Sequence, residues 1–362
     1  MSIALSRRRF LAGSAVLLLA PSKARAATTA GFHEVCRLES ANGRLSPFLL
    51  EGKQLYAAGD RHAEAWDVAA QRLIWRSVLS GFDAVFRPRK AADKLLISGR
   101  GGLLVIESGN GVRLWSHAPE NEEFSVPLIH QGHLFAGDGN VFRAFDLNNG
   151  QERWRVEIPL RIKIAYGPAA FGETILLAPG DGVLHAYAAA DGRELWALDK
   201  GEEWQYLRQL HLSDDVLVAG GYHDEVWGIE AKSGRILWRF QSGNFVNSHL
   251  VQDGRVYFWS PTGWIYCLDA RTGSVIWRHR TTDYRGTKGN WAPLMAELVL
   301  DAGRLFCLDM APELHILEAV TGKETARLKL PALRHFVVPE PGGKRLWLAN
   351  PKGEILGIEL AA

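Results

Sequence analysis

Cys267-Leu268-Asp269-Ala270-Arg271-Thr272-Gly273-Ser274-Val275-Ile276-Trp277 is the stretch that decides the fold. It reads as strand, turn and strand. A residue-plus-Gly pair between apolar runs is a strong hairpin signal, because Gly supplies the positive φ that the turn requires. The phrase recurs along the chain. Trp75, Trp115, Trp154, Trp196, Trp238 and Trp277 are spaced by 40, 39, 42, 42 and 39 residues, each at the same place in a copy of it. Ala144-Phe145-Asp146 with Asn149-Gly150, Ala186-Tyr187-Ala188 with Asp191-Gly192, and Gly228-Ile229-Glu230 with Ser233-Gly234 follow one plan. So does Val105-Ile106-Glu107 with Asn110-Gly111. Two copies depart from it. The first, Ala65-Trp66-Asp67, has Gln71 in place of the turn glycine, and a seventh, Ile316-Leu317-Glu318, has Ala326 in place of Trp.

A period of about 40 residues is the signature of a repeat architecture. Upstream of each phrase lies another short apolar run: residues 54–58, 94–98, 133–136, 174–178, 216–219, 255–259 and 304–308. Before these come innermost-strand candidates such as 126–130 and 249–252. Four short strands per repeat is the composition of a propeller blade. Seven units fill residues 45 to 330. The remainder offers three strands, 334–338, 345–349 and 354–360, while residues 33–38 belong to no unit. A last blade shared by both termini removes the free sheet edges. The expectation is an all-β, eight-bladed propeller of four antiparallel strands per blade, the last closed by the N-terminal strand, with seven blades as the fallback.

Ten residues before most of these tryptophans stands a small residue: Ala65, Ala144, Ala186, Gly228 or Cys267. Small opposite large allows an indole to dock on neighbouring backbone, and burying each ring contributes on the order of 2–3 kcal/mol. The six tryptophans are therefore expected to be structural. The pattern Ala-x-Asp-x-x-Thr-Gly-x-x-x-Trp resembles the tryptophan-docking motif of the pyrroloquinoline-quinone (PQQ) repeat propellers. The resemblance covers nearly all of residues 31–362, and within it the chain is similar in size and blade count to the BamB type.

Residues 1–26 read as an address, not as part of the fold. Ser6-Arg7-Arg8-Arg9-Phe10-Leu11 resembles the twin-arginine export motif, a short apolar run follows, and Ala24-Arg25-Ala26 offers a cleavage site. The run is too short for a membrane span of about 20 residues. The expected division is a cleaved leader over 1–26 and one propeller domain over 27–362, free in the periplasm, with no membrane span or lipid anchor and as a monomer. Without the leader the chain keeps 37 basic against 40 acidic side chains, a net charge near −3. Nothing in bulk charge calls for nucleic acid. Cys36, Cys267 and Cys307 form no vicinal pair and no CxxC, and at most one disulfide is possible.

In a propeller, ligands meet the loops that run from one blade's outer strand to the next blade's inner strand. These loops hold Arg161 and Lys163; Trp204, Tyr206 and Arg208; and Asn244, Asn247 and His249. The longest, residues 281–293, holds Asp283, Tyr284, Arg285, Lys288, Asn290 and Trp291, and His335 lies in the last. Long loops are disproportionately functional. Trp291 breaks the repeat register and is the leading candidate for a funnel-facing aromatic. Arg161, Lys163, Arg208 and Arg285 suit a mouth that binds anions or carboxylates; ordinary solvated polarity is the alternative for the whole group.

The resemblance implies two kinds of relative. Those that oxidise alcohols are longer and hold the quinone between a Trp floor and two adjacent, disulfide-linked cysteines. They bind Ca²⁺ through Glu, Asn and Asp and use an Asp base. Here the cysteine pair and the long insertions are missing, and Asp283 is the only acid in the long loop. There is no zinc spacing, EF-hand loop, nucleophile elbow or phosphate-binding glycine loop, and Asp-Gly at 138–139, 181–182 and 253–254 reads as turns. The other relatives bind partners without catalysis. The reading is thus a periplasmic protein-binding scaffold, suited to envelope protein assembly, with no cofactor or metal and with a periplasmic or outer-membrane protein as partner. The alternatives are a small oxidoreductase or cofactor binder using PQQ with Ca²⁺, and a carbohydrate-binding, lyase or hydrolase propeller, with sugars stacked on Trp291 or Trp204.

Overall fold

The computed structural model describes residues 31–121, 124–159, 164, 166–204, 207–221, 224–244, 246, 249–284, 298–309, 313–330 and 336–360. They form eight antiparallel sheets, one per repeat. Blade 1 runs Leu49–Glu51, Gln54–Ala58, His62–Asp67 and Arg72–Val78 from inside to outside. Blades 3 to 7 repeat that order without crossovers and begin at Leu128–His130, Ala169–Phe171, Leu207–Ser213, His249–Gln252 and Leu298–Asp301. Blade 8 consists of Val338–Pro339, Arg345–Ala349 and Ile355–Leu360, and Phe32–Leu38 completes it antiparallel to Ile355–Leu360. The ring therefore closes with eight blades and a shared last blade, as the strand count requires.

Blade 2 differs on its inner edge. Two short pieces, Asp83–Ala84 and Arg89–Ala91, both pair with Lys94–Arg100. Pro88 stands just before the second piece and has no N–H to donate to a ladder, which accounts for the break.

Burial explains the sequence pattern strand by strand. The second and third strands of a blade face neighbouring blades on both sides and are buried in unbroken runs, as in Gln54–Ala58 and His62–Asp67. Outermost strands alternate, as in Glu152–Glu157. The apolar core is divided accordingly into eight clusters among the described residues, each spanning the junction of two successive blades. Innermost strands of consecutive blades adjoin around the axis, for example Leu207–Ser213 beside His249–Gln252.

The recurring phrase is a hairpin with a bulge. Asp269 Oδ1 accepts the N–H groups of Arg271 and Thr272 at 3.0 and 2.8 Å, and Gly273, at φ 69°, donates its N–H to the Asp269 carbonyl. A bulge sits at one place in all eight blades, next to the pair that joins the small residue to the indole: Ala65 to Trp75, Ala144 to Trp154, Cys267 to Trp277. Each indole then crosses to the following blade. Trp75, Trp115, Trp154, Trp238 and Trp277 donate Nε1–H to the carbonyls of Ser108, Leu147, Ala189, Ala270 and Ala319 at 2.9–3.0 Å.

The two departures in the repeat meet at the seam. Trp of one blade docks on the turn between the third and fourth strands of the next. Blade 8 has no such turn, because its third and fourth strands come from opposite ends of the chain; blade 7 accordingly has Ala326 in the docking position, paired with Ile316. In blade 8 that position is Cys36, paired with Gly357. The outer strand of blade 8, Phe32–Leu38, carries no indole to dock on the blade 1 turn, and that turn tolerates Gln71 at φ 53°.

Candidate functional site

The sequence reading assigns its candidate residues to loops at the axial mouth. Arg161, Lys163, Tyr206, Asn247, Arg285, Lys288, Asn290, Trp291 and His335 lie outside the described residues, as does the side chain of Arg208. Three of the candidates are described. Asn244 is half-buried and its carbonyl accepts the Ser242 hydroxyl. Asp283 is exposed and paired with Arg280 at 3.5 Å. His249 is 4 % exposed, so it does not face the mouth. Its Nε2 stands 3.2 Å from the Val218 carbonyl, and its ring meets His211 edge-on with centroids 4.6 Å apart. Trp204, a candidate for stacking on sugars, is 1 % exposed and packs edge-on against Trp227 at 5.6 Å; burial removes it from that role.

The structure adds a cation that the sequence reading missed. Arg89, on the short innermost strand of blade 2, is exposed and makes no hydrogen bond or ion pair among the described residues. Enclosing walls and the neighbouring Arg87 charge both lower its pKa. Burial, and next the Arg89 charge, bring His211 down to about 4, and burial with His211 beside it keeps His249 neutral. Blades 2 and 5 are three steps apart in the ring of eight, and the Arg89 charge is still felt at His211. Among the described residues Arg89 thus has no counter-ion.

A second set of polar side chains lies within the blades. In blade 3, Arg143 bridges Asp138 at 3.2 Å and Glu152 at 2.7 Å. In blade 4, His185 stands in the same register between Asp181 at 3.6 Å and Glu194 at 2.7 Å. In blade 7, His315 lies between Asp309 at 3.5 Å and Glu324 at 2.7 Å. The base is always nine residues before the outer acid, which the shared bulge brings diagonally opposite. Blade 1 inverts the pair: buried Glu64 accepts from Arg76 Nε at 2.8 Å. Asp138, read from the sequence as a turn residue, thus also holds the buried Arg143 in place, and Asp181, read likewise, stands beside His185. Burial opposes the charged form of both His185 and His315, but the flanking carboxylates outweigh it and raise their pKa values.

Blade 7 carries the most elaborate of these sets. Tyr284 donates its hydroxyl to Asp309 Oδ2 at 3.0 Å, and Asp309 Oδ1 accepts the Glu313 N–H at 2.9 Å. Arg327 binds both oxygens of Glu324, at 3.1 and 3.0 Å. His279, from the outer strand of blade 6, brings Nε2 to 3.6 Å from Glu324 Oε1. Among the described residues two triplets have ligating atoms close enough to share a metal ion, His279 with His315 and Glu324, and Asp309 with Glu313 and His315. The sequence reading found no metal motif because these residues belong to four strands and loops of two blades.

Cys36, Cys267 and Cys307 are all free and buried. Cys267 pairs across the hairpin with Trp277 and fills core volume, in keeping with its sequence reading.

These features define a class: an eight-bladed propeller of tryptophan-docking repeats. The family model described as outer membrane protein assembly factor BamB matches residues 59–178, 180–283 and 261–361, and the chain belongs to that family. The BamB of Burkholderia pseudomallei is 23% identical over 328 residues, which span 85% of this chain and 82% of that protein. The Shewanella oneidensis protein is 22% identical over 346 residues, or 88% and 85%. The crystal structure of BamB from Moraxella catarrhalis superposes with a TM-score of 0.68 at 18% identity, covering 91% of this chain and 98% of that one.

Proposed function

We propose that the chain is a non-catalytic, partner-binding propeller of the cell envelope that serves outer membrane protein assembly. Family membership over nearly the whole propeller is the observation that carries this reading. The twin-arginine pattern at Ser6–Leu11 supports export to the periplasm. Arg89, on the innermost strand of blade 2 with no hydrogen bond or ion pair among the described residues, supports a protein partner that presents carboxylates, with Arg161, Lys163, Arg208 and Arg285 as the further cations that the sequence offers. On this reading neither PQQ nor Ca²⁺ takes part.

Loss of the gene is expected to lower the amount of β-barrel proteins in the outer membrane. Cross-linking from the mouth in cells should join the chain to a protein of that assembly pathway, and Arg208→Glu or Arg285→Glu should weaken the cross-link. Unchanged barrel levels together with no such cross-link would overturn the proposal.

A further inference from the structure

We propose that His279, His315 and Glu324 form a transition-metal site, with Zn²⁺ as its natural occupant, that bridges blades 6 and 7. The three ligating atoms, His279 Nε2, His315 Nδ1 and Glu324 Oε1, lie within 4.8 Å of one another. Imidazole and carboxylate ligands of this kind suit zinc, whose bonds to them are about 2.0–2.2 Å. Tetrahedral ligands at that radius stand roughly 3.4 Å apart. His279 Nε2 and Glu324 Oε1 are already 3.6 Å apart. The 2.7 Å contact between His315 and Glu324 is a hydrogen bond that must open by about 0.7 Å as the ion replaces its proton.

Two features of this cluster suit an ion. The first is an orphan: His279 Nε2 is buried and has no hydrogen-bond partner among the described residues, with Glu324 Oε1 standing 3.6 Å away. Buried polar atoms in native proteins are nearly always satisfied, and one that is not calls for an occupant. The second is the outer support. With Nδ1 on the metal, His315 presents Nε2–H to Asp309 Oδ2, itself fixed by Tyr284 and by the Glu313 N–H. A carboxylate behind a ligating histidine sets its tautomer and ring orientation, and Arg327 holds Glu324 in the same way.

The repeat supplies its own control. Blade 4 has the same acid–histidine–acid set in Asp181, His185 and Glu194, but the residue matching His279 on the preceding outer strand is Val156. Blade 3 has Arg143 in the central position, which cannot ligate a metal. Among the described residues only the junction of blades 6 and 7 joins a second histidine to the set.

The test is equilibrium competition between the metal-stripped mature chain and a chromophoric chelator for Zn²⁺, with thermal unfolding measured alongside. One Zn²⁺ per chain is expected to bind and to raise the melting temperature. His279→Val, which installs the residue that blade 3 carries at this place, should fold without metal yet lose affinity about 10-fold or more and lose the thermal shift. Glu324→Gln should weaken binding likewise, and His185→Arg should leave it unchanged. Failure of the wild-type chain to bind stoichiometrically, or equal binding by His279→Val, overturns the site.

Discussion

The Trp238 indole lies so close to Gly273 of the next blade that a Cβ on the glycine would stand 2.6 Å from Trp238 Cδ2. Gly273 also sits at φ 69°, where an L side chain is strained. Both penalties should fall on Gly273→Ala: about 1 kcal/mol for the backbone and a further 1–3 kcal/mol for overpacking the indole. Gly303 separates the two. It has φ 75° but nothing within 4 Å of the added Cβ, so Gly303→Ala should lose only the backbone part. Denaturant midpoints of the two variants measure the difference; equal losses would mean that the indole is not wedged against the turn.

The seam gives the opposite sign. Gln71 occupies the turn position that glycine holds elsewhere, at φ 53°, and no indole packs against it because blade 8 carries Cys36 in the docking place. Gln71→Gly relieves an αL strain of about 1–2 kcal/mol and adds about 0.5–1 kcal/mol of unfolded-state entropy. A net gain of about 0.5–1 kcal/mol in unfolding free energy is expected. Destabilisation would show that the Gln71 side chain makes an energetic contribution of its own.

The fold was legible because its determinants are local and repeated. Trp, turn glycine and small partner fall within eleven residues, and even the absent Trp at Ala326 had a reason that the closure argument contained. Strand ends shifted by a residue or two, as at Thr174–Leu177 against the expected 174–178. The polar sets were not legible. His185 meets Glu194 only because a bulge moves the outer strand by one register, and His279 meets Glu324 only across a blade junction. Arg89 escaped notice because Pro88 interrupts the inner strand and hides the period-2 pattern there. His249 has the polarity of a loop residue, yet neighbouring blades cover it, and polarity in a sequence does not distinguish a mouth from an inter-blade pocket.

His185 sets the alkaline side of the stability profile. Its pKa is raised because Asp181 and Glu194 outweigh the burial of the ring. A raised folded-state value stabilises the native state fully below the unfolded value near 6.5, and the gain disappears as pH rises through the folded value. His185→Arg copies the blade 3 arrangement of Arg143 with Asp138 and Glu152, whose charge does not titrate in this range. The variant should match the wild type near pH 6 and exceed it on the alkaline side by about 1 kcal/mol, of the order of one charge-assisted hydrogen bond. Parallel unfolding curves across that range would mean that the carboxylates do not hold the proton on His185.

His211 acts with the opposite sign. Burial and the Arg89 charge depress it to about 4, so between that value and about 6.5 the unfolded chain binds a proton that the native ring refuses. Stability should therefore fall on acidification through this window, by up to about 1.4 kcal/mol per pH unit for one such group. His211→Gln removes the term and should flatten the acid limb while leaving the alkaline limb intact. Arg89→Gln removes the smaller of the two causes and should raise the His211 value only part of the way toward 6.5, as followed by histidine proton resonances in an NMR titration. If the His211 resonance does not move in Arg89→Gln, the Arg89 charge does not reach His211, and the proposed carboxylate-binding partner loses one of its supports.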